Sequence, residues 1–95
     1  MDDMREKYIE EKLVKKTKLS NGLCIKLTSM IGLPDRMLLF PKGKIGFVEV
    51  KRKGQMPRAI QEKRINDLRK LGFNCFILDD TKDISRIIQE IKGGD

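Results

Sequence analysis

The apolar positions of this chain change their period along its length, and the changes mark its elements. Over residues 3–19, which contain no proline or glycine, Tyr8, Ile9, Leu13 and Val14 form the apolar set of a helix, and Asn21-Gly22 ends it. Residues 23–28 alternate as a strand does. Gly32-Leu33-Pro34 then turns the chain, and Met37-Leu38-Leu39-Phe40 reads as a second strand. Pro41-Lys42-Gly43-Lys44 signals a hairpin, because Gly43 can supply a positive φ at little cost. The next strand carries Phe47-Val48-Glu49-Val50-Lys51. A polar connection, Arg52–Pro57, leads into a helix over 58–71 that stops before Gly72. Residues 73–78 form a short apolar strand, expected in the sheet interior. Residues 81–92 form a last helix with Ile84, Ile87, Ile88 and Ile91 on one core-facing stripe.

The first three strands read as a meander, and the helix between the third and fourth requires a parallel crossover. The predicted fold is therefore α/β, a mixed four-stranded sheet flanked by helices in the order αβββαβα. Ninety-five residues without internal repeats suit one domain spanning residues 1–95.

That arrangement gathers chemistry. Asp35 follows the glycine turn, and on the third strand Glu49 and Lys51 share a face while Val48 and Val50 point to the other. Two carboxylates and an amine so placed suit a divalent metal beside an electropositive group that stabilises charge on a phosphate.

Charge supports this direction. The net charge is +7, and residues 36–72 hold eleven basic groups against three acids, whereas residues 73–95 hold three against five. A basic excess concentrated around acids suits an anionic polymer delivered to a metal site better than a calcium store. The sequence contains no histidine, which excludes Ser-His-Asp and Cys-His catalysis and most zinc sites. Cys24 and Cys75 lie in apolar surroundings and read as buried free thiols. No stretch resembles a signal peptide or a membrane span, so an intracellular, cytoplasmic location is expected.

Other residues point inward. Gln61 falls between Ile65 and Leu68 in helical angle, so its amide either caps a backbone group at the helix edge or reaches the metal site to orient a water or phosphate oxygen. In the first helix Glu10 is the leading inward acid and Glu6 the second, against the alternative of surface i, i+4 pairs. Asp79-Asp80 is a rival acidic pair, but Asp80 reads more simply as the N-cap of the last helix. Tyr8 and Phe73 are expected in the core rather than stacking on bases.

Ile9-Glu10, Gly32-Leu33-Pro34-Asp35-Arg36, Phe47-Val48-Glu49-Val50-Lys51-Arg52 and Gln61, in this order, resemble the virus-type replication-repair nuclease (VRR-NUC) domain, a branch of the PD-(D/E)XK superfamily. The resemblance implies a restriction-endonuclease-like core in which Asp35, Glu49 and the backbone carbonyl of Val50 hold Mg²⁺ or Mn²⁺. It implies further that Lys51 positions the attacking water, that Glu10 completes the acidic cluster, and that Gln61 supports it. It also implies a small phage-type protein working as a homodimer on branched DNA. Arg36, Arg52, Lys53 and Arg58 are the cations expected to grip phosphates. An inactive adaptor with the same fold, or a nuclease acting on RNA, are the alternatives.

Overall fold

The computed structural model describes residues 5–93. Its elements are α1 (Glu6–Leu19), β1 (Leu23–Lys26), β2 (Arg36–Phe40), β3 (Lys44–Val50), α2 (Ala59–Lys70), β4 (Asn74–Leu78) and α3 (Ile84–Ile91), with single 3₁₀ turns at Pro41–Gly43 and Thr81–Asp83. Residues 3 and 4, where the first helix is predicted to begin, lie outside the described residues. The strands stand in the order β1-β2-β3-β4. The pairs β1–β2 and β2–β3 are antiparallel and β3–β4 is parallel, as a meander followed by a helical crossover requires.

Strand alternation sorts the core into two layers. Leu38, Phe40, Val48, Val50 and Leu78 face α1 and α3 and meet Ile9, Leu13 and the four isoleucines of α3. Phe47 and Cys75 face the other way and meet Ile65 of α2. Gly46 lies directly under α3: a Cβ there would stand 2.4 Å from the Ile91 side chain, so a larger residue would force Ile91 to move.

Three expectations are corrected. The fourth strand is not interior but an edge strand; its apolar character comes from cover on both faces, Cys75 beneath α2 and Leu78 against α3, while Asn74 and Ile77 stay exposed. Tyr8 is outside the core because the buried stripe of α1 runs Ile9, Leu13, Thr17, and the Lys12 ammonium lies 5.7 Å from its ring centroid. Phe73 is likewise exposed, meeting Phe47 edge-on at 5.6 Å. Asp80 does cap the last segment, its carboxylate accepting the Lys82 N–H at 3.0 Å at the start of the 3₁₀ turn. Both cysteines are free, Cys75 buried and Cys24 half-buried. Among the described residues no helix is long and apolar enough to cross a membrane.

Candidate active site

The pairing of β2 with β3 sets the two acids side by side. Ahead of β2, the Leu27 N–H donates to the Asp35 carbonyl at 2.9 Å and closes the β1–β2 loop at its base. Within that loop Gly32 has φ +88°, and a Cβ on it would stand 2.8 Å from the Ile60 carbonyl, so the turn presses directly on the first turn of α2. The Asp35 Oδ2 atom accepts the Val50 N–H across the sheet at 2.8 Å. Asp35 is thus held through its main chain by Leu27, just past β1, and through its side chain by the end of β3.

Glu49 is 1 % exposed. Its Oε2 accepts from the Gln61 amide at 2.8 Å and pairs with the Lys51 ammonium at 3.2 Å, and its Oε1 is buried with no hydrogen-bond partner. Lys51 is also buried, its N–H donating to the Leu78 carbonyl of β4 at 2.9 Å. Gln61 is bound at both ends, because its Oε1 accepts the Arg58 N–H at 2.8 Å. The amide therefore couples the start of α2 to Glu49, uniting the capping and the inward-facing readings.

Burial pushes the Asp35 carboxyl above the usual carboxylate range, against the lowering effect of the Val50 hydrogen bond. Burial does the same to Glu49, and the neighbouring Asp35 charge adds to it, against the lowering effect of the Lys51 hydrogen bond and charge. Two desolvated acids that repel one another, one with a buried oxygen lacking any donor, form an environment that a hard divalent cation relieves. Among the described residues no three carboxylates or thiols gather to hold an ion by side chains alone. A donor set of Asp35, Glu49 and a backbone carbonyl fits such a cation without a third acid.

The first-helix acids behave differently from expectation. Glu10 is paired as well as close to the acids: its Oε2 accepts from the Arg36 Nε at 2.7 Å, while its charge also acts on Asp35 and raises that carboxyl. Arg36 is correspondingly no exposed phosphate-gripping cation, being 17 % exposed in its side chain. Alternation carried the signal, since Arg36 shares its face with Leu38 and Phe40 and must look toward α1. Glu6 lies in the field of Asp35 and Lys51, and its carboxyl is raised by partial desolvation and then by Asp35.

Among the remaining cations, Arg52 and Arg58 are exposed. Lys53 reaches Asp80 at 2.6 Å, and the Gly54 N–H donates to Asp79 at 3.0 Å. The Asp79-Asp80 pair is therefore occupied in stapling the connection after Lys51 to the end of β4.

No family model matches the chain. A phage protein, "Putative nuclease p44" of Acyrthosiphon pisum secondary endosymbiont phage 1, is 36% identical over 90 residues, covering 93% of this chain and 96% of its own length. A solved structure described as a VRR_NUC domain superposes with a TM-score of 0.82 at 28% identity, covering 88% of this chain and 94% of its own. Both comparisons run through the elements that carry the acids, and together they place the sequence: the chain belongs to the VRR-NUC nuclease-domain family, in its small phage type.

Proposed function

We propose that this protein is a nuclease that requires Mg²⁺ or Mn²⁺ and hydrolyses phosphodiester bonds in structured or branched DNA. The observation that carries the reading is the unpartnered Glu49 Oε1, buried beside Asp35 and Lys51. The name of the phage relative, "Putative nuclease p44", supports the same reaction class.

Asp35, Glu49 and the Val50 carbonyl would hold the ion, which when bound supplies Lewis-acid polarisation and offsets charge on the phosphodiester. The residues around it do the positioning. Gln61 fixes one oxygen of Glu49, and the Val50 N–H fixes one oxygen of Asp35, so neither carboxylate must reorganise as substrate arrives. Lys51, whose ammonium lies beside Glu49, orients the attacking water and donates toward negative charge developing on the phosphate. Exposed Arg52 and Arg58 attract the backbone without reading bases. A two-fold dimer would present two such sites to a two-fold junction.

The test is cleavage of a labelled four-way DNA, a linear duplex and a matched RNA with Mg²⁺, Mn²⁺ or a chelator, for wild type beside Glu49→Ala and Lys51→Ala. Cutting of the four-way DNA that both variants and the chelator abolish is the expected result. Equal cutting by wild type and variants sinks the site assignment. Thermal melting adds a readout independent of turnover: at about a hundredfold excess over its dissociation constant the ion stabilises wild type by about 2.7 kcal/mol, and Glu49→Ala should lose this gain. Sedimentation reports the dimer.

A further inference from the structure

The loop that joins β1 to β2 is braced on three sides yet carries an apolar tip into solvent. Its base is closed by the Leu27–Asp35 hydrogen bond, its tip by the Leu33 N–H donating to the Met30 carbonyl at 3.3 Å, and its flank by Arg64 Nε donating to the Ile31 carbonyl at 3.3 Å. The positive φ of Gly32 locks the same flank against Ile60. A loop so fixed has no need of exposed apolar side chains for its own stability, but Ile31 is 78 % and Met30 54 % exposed.

Their position relative to the acids is constrained by the chain itself. Ile31 is four residues from Asp35, so their Cα atoms lie within about 14 Å even if the segment were fully extended, a span of about four base steps along one strand. The charges around the tip are basic in excess, which favours a polyanion over an apolar protein surface: Lys26 stands exposed before the loop, and Arg58 and Arg64 lie on the α2 turns on which it rests, against Glu62 there and an Asp67 that pairs with Arg64.

We infer that Met30 and Ile31 form a wedge that enters between the bases of a DNA strand next to the scissile phosphate, a proposal that rests on the DNA-nuclease reading of the Asp35–Glu49 site. Apolar side chains inserted at a base step unstack it, and the penalty is least where stacking is already broken. A branch point or distorted step within a few nucleotides of the cut is therefore the substrate that this loop selects. Phosphate contacts alone would not discriminate it from continuous duplex.

The experiment compares the full-length wild type with the Met30→Ser/Ile31→Ser double variant and with Leu71→Ser, an equally exposed leucine at the opposite end of α2. The probes are a four-way junction and a matched duplex carrying 2-aminopurine at the branch position, bound in Ca²⁺ for fluorescence and cut in Mg²⁺ for rate. All three proteins should melt within about 4 °C of one another, since only exposed side chains change. Wild type and Leu71→Ser should brighten the junction's 2-aminopurine, whereas the double variant should not, and its preference for junction over duplex should fall about tenfold. Unchanged brightening and preference in the double variant would overturn the wedge. Conversion of a wild-type dimer to monomers by the double substitution would also overturn it, in favour of a contact between copies. If wild type cuts neither substrate the nuclease reading fails, and the fluorescence arm still decides the wedge on its own.

Discussion

Replacing Gln61 by leucine isolates the support of Glu49 from its chemistry. The side chain keeps its volume but loses both the acceptor for the Arg58 N–H and the donor to Glu49, each a 2.8 Å bond at an 8 % exposed residue. The bond at the helix start is worth about 1 kcal/mol, and the charge-assisted bond to a buried carboxylate about 1.5–3 kcal/mol. Their loss together should destabilise the metal-free protein by about 2.5–4 kcal/mol, lowering its melting temperature by roughly 10–30 °C for a domain of this size. Urea unfolding in a chelator measures the loss without interference from metal. Glu49→Leu and the double variant Gln61→Leu/Glu49→Leu complete a cycle, in which a coupling of about 0.5–3 kcal/mol is expected for groups in contact. A melting shift below about 3 °C together with additive energies would refute the claim that Gln61 anchors Glu49.

The remaining predictions concern charge, packing and phosphate contacts. Because burial raises the Asp35 and Glu49 carboxyls, the folded metal-free protein holds their protons more tightly than the unfolded chain does. The stability they contribute is complete below the ordinary carboxylate range of about 4 and is lost as pH rises through their raised values. In chelator, the melting temperature of wild type relative to Asp35→Asn/Glu49→Gln should therefore fall as pH is raised, and a rise would reverse the sign of the argument. Gly46→Ala places a methyl 2.4 Å from Ile91 and should cost about 1–3 kcal/mol in urea unfolding, with part of the loss restored by Ile91→Val. Arg52→Ala and Arg58→Ala should each weaken binding of junction and duplex alike and reduce the slope of log affinity against log salt by about 1.

Much of this molecule was legible in its sequence because the relevant signals are periodic. The α3 isoleucines, the alternation around Glu49 and the helix between β3 and β4 determine faces and handedness without long-range information. That Asp35 and Glu49 approach one another follows from an antiparallel register that the hairpin at Pro41–Gly43 sets. Other features depend on partners distant along the chain. Tyr8 sits beside Ile9 in sequence, yet the stripe continues through Thr17, a polar residue that no hydropathy pattern recruits. The edge position of β4 was masked by cover on both faces, which gives an edge strand the composition of a central one. Arg36 carries a charge that suggests a phosphate contact, but its parity with Leu38 turns it toward α1, where it pairs with Glu10. Gly46 reads as an ordinary strand glycine until α3 is seen to lie on it.

The double attachment of Asp35 has a consequence for design. Both bonds that fix it, to Leu27 and to Val50, originate outside residues 28–34. Changes to the exposed side chains of residues 28–31 leave both bonds intact, whereas Gly32, pressed on Ile60, and the buried Pro34 tie the end of the loop to the fold. A designer altering that tip works on exposed side chains without touching the two bonds that fix the acid.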